Sequence, residues 1–253
     1  MECYNDFANI YDELVNEDID YKSWADKIIE ICGESNVVKR DYLDLACGTG
    51  NLAVPIGKKF IFTTVVDLSK EMLSIADEKL KENNIKAKVC CQDICDLNLK
   101  KQFDLITCGL DSTNYITDDL KLKQYFMSVN KHLKENGIFI FDINTEYKIK
   151  NILGNNNFNY DNEEVVYIWE NQLEDDVVNM YLTFFVKKGQ VYYRFDEHHR
   201  ERAYSQEFLE SIMSESGLIV EKKLNCYGLE PIDDNTERIT YIVRKKGEYS
   251  NGR

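Results

Sequence analysis

Residues 41–50 read Asp-Tyr-Leu-Asp-Leu-Ala-Cys-Gly-Thr-Gly, an apolar run interrupted by acids and closed by a glycine-rich turn. Its length and stop signal predict a short strand over 41–47, buried on both faces, with a tight loop behind it. Four similar runs follow. Phe60-Ile61-Phe62-Thr63-Thr64-Val65-Val66 is rich in β-branched and aromatic residues and ends at Asp67. Ala87 to Cys91 forms a third run ending at Asp93, Phe103 to Leu110 a fourth, and Ile138-Phe139-Ile140-Phe141 a fifth. After the second run, Met72, Leu73, Ala76 and Leu80 recur with helical period behind Ser69, a residue suited to capping. After the fourth, Leu122, Tyr125, Phe126, Val129 and Leu133 share one helix face, and Asn136-Gly137 is expected to end that helix. Strand and helix alternating in this way predict an α/β fold, a parallel sheet covered by helices.

Toward the amino terminus, Tyr21, Trp24, Ala25, Ile28, Ile29 and Cys32 mark an amphipathic helix over 20–32, with Trp24 assigned to the core as part of its stripe. After about residue 150 the pattern changes. Asn155-Asn156-Asn157 is a polar break, followed by strand-like runs near 164–173, 177–187 and 190–200. Val178, Met180, Leu182, Phe184 and Val186 alternate with more polar neighbours, as expected of an antiparallel sheet with one buried face. These runs are read as an insertion of about 155–200 within one domain spanning 1–253. Ser205 then caps a helix bearing Phe208, Leu209, Ile212 and Met213, and Gly217 stops it. Runs at about 218–226 and 237–245 bring the main sheet to seven strands.

Lys plus Arg number 31 and Asp plus Glu 45, a net charge of −14. That sign disfavours nucleic acid and anionic membrane surfaces as partners. No stretch approaches the roughly 18 apolar residues of a membrane span. The start, Met1-Glu2-Cys3-Tyr4-Asn5-Asp6, is too acidic and polar for a signal peptide, so a cytoplasmic location with reduced thiols is expected for the eight cysteines. Cys90, Cys91 and Cys95 lie on an expected buried strand and the loop after it; with no CxxC pair and only His132, His198 and His199 as histidines, they are read as structural and no metal is expected.

Ligands of open parallel sheets bind at the carboxyl ends of the strands, where Asp44, Gly48-Thr49-Gly50, Asp67 and Asp93 stand. Asp67 follows the last loop glycine by 17 residues, well placed for both ribose hydroxyls, and Asp93 suits an adenine amino group. Two adenosine cofactors compete for such a site. Gly48-Thr49-Gly50-Asn51-Leu52-Ala53 formally fits the dinucleotide fingerprint. A dinucleotide would set its doubly charged pyrophosphate against Asp44, whereas the ammonium of S-adenosylmethionine suits that carboxylate. The acid favours the methyl donor. An NAD-dependent oxidoreductase and a non-catalytic adenosine or donor sensor are the alternatives.

These residues resemble the class I S-adenosylmethionine-dependent methyltransferases, whose donor loop reads D-x-G-x-G-x-G and here is Asp44-Leu45-Ala46-Cys47-Gly48-Thr49-Gly50, with Ala46 replacing the first glycine. The resemblance implies a Rossmann-like seven-stranded, mostly parallel sheet with an antiparallel last strand, plus the small inserted antiparallel β subdomain. It implies S-adenosylmethionine as cofactor, the loop residues Asp44, Ala46, Cys47, Gly48, Thr49 and Gly50 around its methionine part, and Asp67 on the ribose. Leu68 and Met72 stand beside that ribose position, Asp93 and Ile94 border the adenine, and Cys108, Gly109 and Leu110 line the pocket. Phe7-Ala8-Asn9-Ile10-Tyr11-Asp12 with Asp20-Tyr21, and Phe195-Asp196-Glu197-His198-His199-Arg200 running into Tyr204-Ser205-Gln206-Glu207, look like the small-molecule branch that includes sugar-amine N-methyltransferases and glycine N-methyltransferase. In that branch the amino-terminal segment, here about 1–33, covers the donor.

The expected reaction is in-line methyl transfer to a small molecule, an amine favoured over a hydroxyl. Positioning supplies most of its acceleration, and the faces of Tyr11 and Tyr21 can stabilise the donor's cation. A base is sought among Tyr11, His198, Asp142 and water. Asp111, Asn114, Tyr115, His198 and Arg200 are the candidate substrate contacts, with Arg200 either neutralising an anionic substrate or pairing with surface carboxylates. The inserted sheet is expected to close the opening as a lid.

Overall fold

The computed structural model describes Asp12 and residues 19–247. In chain order the elements are α1 (Tyr21–Glu34), β1 (Asp41–Leu45), α2 (Ala53–Gly57), β2 (Phe62–Asp67), α3 (Lys70–Glu82), β3 (Ala87–Cys91), β4 (Phe103–Cys108), α4 (Asp119–His132), β5 (Leu133–Asn144), β6 (Asn157–Asp161), β7 (Val165–Glu174), β8 (Val177–Lys188), β9 (Val191–Arg202), α5 (Gln206–Glu215), β10 (Leu218–Asn225) and β11 (Arg238–Lys245). Seven strands form one sheet in the order β10-β11-β5-β4-β1-β2-β3; β11 runs antiparallel to both its neighbours, and the other pairs are parallel. A second sheet, β6-β7-β8-β9, is wholly antiparallel.

The continuous apolar runs follow from burial on two sides. Leu43, Ile106, Phe139 and Phe141 pack into the layer with Tyr125 and Phe126 of α4 and Leu209 of α5. Their chain neighbours Tyr42, Leu105 and Ile140 face the opposite layer, against Trp24 and Ile28 of α1. Helix starts are fixed by side-chain oxygens. Asp20 accepts from the Ser23 amide (3.0 Å), Ser69 from the Met72 amide (3.1 Å) and Ser205 from the Phe208 amide (3.2 Å), each satisfying an amide without an intrahelical partner.

Three expectations are corrected and one helix is added. Asn136-Gly137 lies within β5 instead of ending α4: the helix stops at His132, and the strand begins at Leu133 with an irregularity opposite Phe103–Leu105. The second sheet has four strands because Asn157–Asp161 pairs with β7; across that pair Phe158 packs tilted on Trp169 and Tyr160 stacks on Tyr167, so ring packing outweighs the low strand preference of asparagine. The short helix α2 follows the glycine loop, too brief to show a period. Finally, β3 is the sheet's edge strand, so Cys90 is only partly buried and Cys91 is exposed. The second sheet rests on the first unit through Val165 and Phe184 against Met72, and through Val178 and Met180 against Ile149 and Leu153.

Candidate active site

Asp44 sits one residue before the end of β1, beside Thr107 of β4. Thr107 Oγ1 donates to Asp44 Oδ1 at 2.6 Å and lies 2.8 Å from the Tyr42 hydroxyl. Asp44 Oδ2 is buried, without a hydrogen-bond partner, on a residue that lines a cavity of about 1120 Å³. Burial, and then the nearby charge of Asp67, push the Asp44 carboxyl up to about 7 despite the Thr107 bond. A buried carboxylate with one unused oxygen calls for a donor that brings a positive charge.

The loop that follows turns through left-handed backbone at Ala46 (φ 50°), Gly48 (φ 52°) and Gly50 (φ 82°). The last two glycines serve different ends. A Cβ on Gly48 would meet nothing within 4 Å, whereas one on Gly50 would stand 3.2 Å from Ala76 Cβ of α3. Gly48 leaves room for a ligand, and Gly50 lets the loop lie directly on the helix. Ala46 keeps the left-handed turn at the position where the family motif has glycine. Asp67 binds the loop back: its carboxylate accepts from the Gly48 amide at 2.8 Å and from the Ser69 amide at 2.9 Å. Burial raises its pKa, and these amide bonds oppose the rise.

Asp12 also reaches this loop. It accepts from Thr49 Oγ1 (2.5 Å) and Asn51 Nδ2 (2.9 Å) and forms an ion pair with Lys79 of α3. Burial would raise its pKa, but the bonds from Lys79, Thr49 and Asn51 outweigh that and hold it below the usual carboxylate value.

At the ends of β4 and β5, Asp142 is buried and saturated. It accepts from the amides of Leu110 and Asp111 (2.9 Å each) and from the Tyr227 hydroxyl (2.8 Å), and it pairs with Arg238 of β11. Those bonds pin Leu110 (φ 55°) and Asp111 (φ 48°), two successive left-handed residues that cost roughly 1–2 kcal/mol each. Arg238 Nη2 binds Asp111 Oδ1 at 2.6 Å, and its guanidinium lies over Trp24, whose ring stacks on Tyr227. Asp142 is thus a bracket with no capacity left for a base. The sequence offered no signal for Arg238 or Tyr227; the antiparallel register of β11 on β5 brings them in from far along the chain.

Most of the expected residues converge on the cavity. Its wall includes Tyr21, Asp44, the loop from Ala46 to Thr49, Leu68, Met72, Asp93, Ile94, Gly109 to Asp111 and Tyr115. Trp24, assigned to the core, is buried and also borders the cavity. Three expectations fail on geometry. Gly50 is turned onto Ala76, away from the opening. Cys108 is fully buried beneath the site, and burial pushes its thiol up to about 12. Asn114 is also fully buried and structural: its amide donates to the carbonyls of Asn144 (3.0 Å) and Arg202 (2.9 Å) and accepts from the Asn144 amide (3.0 Å). The histidine pair divides as strand alternation requires. His198, one of the candidate bases, stacks its ring on the exposed Tyr181 (4.6 Å) at the cavity's border, and Arg200 is likewise exposed. His199 is buried, edge-on to Tyr115 at 5.9 Å, and burial lowers it to about 4, so its ring is neutral near pH 7. Tyr11 lies outside the described residues.

Residues 43–137 match the family model described as a methyltransferase domain. The fold superposes with a TM-score of 0.92 on an S-adenosylmethionine-dependent methyltransferase from Clostridium acetobutylicum, 55% identical, with 96% of this chain and 99% of that chain covered. The chain belongs to the S-adenosylmethionine-dependent methyltransferases. YqeM of Bacillus subtilis, whose name provisionally assigns it to the methyltransferases, is 32% identical to this methyltransferase over 96% of this chain and 97% of its own length. The sugar N-methyltransferase KedS8 from a Streptoalloteichus species shares the methyltransferase's fold at TM-score 0.77 and 21% identity, with 93% and 92% covered.

The donor site of this methyltransferase fits the cofactor. The unpartnered Asp44 Oδ2 suits the ammonium of S-adenosylmethionine, and the space above Gly48 would be filled by a Cβ but is open to a ligand. Asp67, held by two backbone amides, lines the same cavity, where a carboxylate suits a ribose diol. A pyrophosphate would meet two acids here, which argues against a dinucleotide. Among the described residues no helix is long and apolar enough to cross a membrane.

Proposed function

We propose that this methyltransferase methylates an amine on a small molecule that it encloses. The observation that carries this reading is the cavity. At about 1120 Å³ it exceeds the roughly 300–1,000 Å³ of ordinary small-molecule pockets, enough for the donor and a second compound together. It runs from the donor loop to the inner face of the second sheet, where Phe158, Trp169, Met180 and Leu182 supply apolar wall. That sheet acts as a lid over the acceptor, and Asp12 and α1 cover the donor loop. Likeness in fold to a sugar N-methyltransferase supports an amine as the acceptor.

When bound, the donor supplies an electrophilic methyl group on a sulfonium centre. The chain's own work is placement: Asp44 takes the ammonium, Asp67 the diol, and the pinned Leu110–Asp111 turn shapes the boundary between donor and acceptor. Tyr21 lines the cavity wall, where an aromatic ring favours a cation. Incubation with labelled donor and a metabolite extract, read by mass spectrometry, is expected to yield S-adenosylhomocysteine together with an amine heavier by one methylene. A product methylated on oxygen or carbon would overturn the amine assignment. Removal of residues 158–198 is expected to abolish turnover while leaving part of the donor affinity; unchanged turnover would refute the lid.

A further inference from the structure

At the acceptor end of the cavity, Asn144 closes β5 and Glu201 comes down from β9. Asn144 is 4% exposed and Glu201 3%. Asn144 Nδ2 donates to Glu201 Oε2 at 2.7 Å, and both residues line the cavity. Asn144 Oδ1 is buried with no hydrogen-bond partner. An orphaned buried acceptor beside a buried carboxyl needs a donor from outside the protein.

The local charge specifies that donor. Asp111 and Asp142 share the single guanidinium of Arg238, and Glu201 adds a third carboxyl, against which Lys148 on the cavity wall is the other nearby cation. Burial, and then the charge of Asp111, push Glu201 up to about 8; the Asn144 bond, Arg238 and Lys148 act the other way and are outweighed. A cation entering here relieves both the repulsion and the orphaned oxygen. A hydroxyl has one proton to donate and no charge. A protonated primary or secondary amine has at least two N–H groups, one for each acceptor. The inner-face positions of β7, β8 and β9 next to this end, among them Trp169, Met180, Leu182 and His199, carry no lysine or arginine, and the cations on the wall include Lys148, the exposed Arg200 and the already paired Arg238.

Resting on the amine-methyltransferase reading, we propose that Asn144 Oδ1 and the Glu201 carboxyl form the acceptor's amine subsite, with Glu201 as the group that takes the nitrogen's proton. In the filled site one proton lies between nitrogen and Glu201. When it moves to Glu201, the N–H bond breaks with its electrons kept on nitrogen as a lone pair, and an O–H bond forms on the carboxyl. The ammonium–carboxylate pair becomes an amine and an acid, both neutral, a change that burial favours. The apolar wall of Met180 and Trp169 suits an amine carried on a ring or an alkyl body rather than on a charged nucleotide.

The test uses the full chain saturated with S-adenosylhomocysteine and probed with benzylamine, benzyl alcohol and benzoate by saturation-transfer NMR. Benzylamine is expected to bind at least tenfold more tightly than the other two probes. Glu201→Gln, which keeps the shape, is expected to weaken benzylamine at least tenfold with S-adenosylhomocysteine affinity changed less than twofold. Equal binding of the three probes to the wild-type protein, or no benzylamine signal at 10 mM in protein that holds S-adenosylhomocysteine, overturns the subsite and leaves the methyltransferase reading standing. The wild-type comparison decides even if the variant does not fold. Failure to retain S-adenosylhomocysteine would strike the donor reading itself.

Discussion

Replacing Asp44 by asparagine should move stability and donor affinity in opposite directions. In the free protein this carboxyl is raised to about 7, chiefly by burial. Against an unfolded value of about 3.9, the rise of about three units corresponds to a cost of about 4 kcal/mol for holding the charge. The sign follows from the direction of the shift. A carboxyl raised in the folded state adds stability below about pH 4 that is lost as pH climbs to about 7, so the cost is fully present only above neutrality. Asp44→Asn removes it, and the donor-free variant should melt higher than the wild type at pH 8 by up to about 8–16 °C, at roughly 2–4 °C per kcal/mol. The donor's ammonium requires the charged form. Wild-type affinity should therefore carry the factor 1 + 10^(7−pH), about elevenfold weakening at pH 6 against about twofold at pH 7, a ratio of about five. Binding should release about half a proton at pH 7, measurable by calorimetry in two buffers of different ionisation enthalpy. Asp44→Asn should bind the donor at least tenfold more weakly and lose this pH dependence between pH 6 and 7. Wild-type affinity unchanged from pH 6 to 7, or an asparagine variant that binds as tightly, would refute the pairing of Asp44 with the donor's cation.

Gly50→Ala adds a Cβ 3.2 Å from Ala76 Cβ at a backbone φ of 82°, and should cost about 1–3 kcal/mol, read as a lowered melting temperature, by forcing the loop off α3. Asn114→Ala removes three buried hydrogen bonds that tie the end of β5 to β9, and should lower stability by about 2–4 kcal/mol in chemical denaturation. A raised KM with an unchanged melting temperature would instead return Asn114 to the substrate. Lys79→Met breaks the partly buried pair with Asp12 and the bond to Asn51 Oδ1 (2.7 Å), should change stability by no more than about 1 kcal/mol, and should speed donor release in stopped flow by loosening Asp12 and Asn51 at the donor loop.

What could be read from the chain was what neighbouring residues decide together. The parallel sheet was legible because each strand is buried on both faces, so Leu43 and Tyr42, or Ile106 and Leu105, are both apolar although they face opposite layers. The donor end was legible because Asp44, the loop and Asp67 follow one another along two adjacent strands. The proposed acceptor end was not. Glu201, Asn144 and Arg238 stand at no recognisable spacing and meet only through the register of β11 on β5 and the docking of β9. The histidine pair shows the same limit at finer scale: one residue of strand phase decides whether His198 or His199 turns inward, and the alternation within 190–200 is too weak to fix that phase. Asn157–Asp161 was hidden because its pairing depends on rings from β7 that local preference does not see.

The most direct test of the account is equilibrium dialysis of the folded wild-type protein against radiolabelled S-adenosylmethionine at pH 7.5, alongside Asp44→Asn and Asp67→Asn. One equivalent retained by the wild type, and much less by either variant at the same donor concentration, is the predicted result. No retention by the wild type, or equal retention by all three, would contradict a donor held by those two carboxylates.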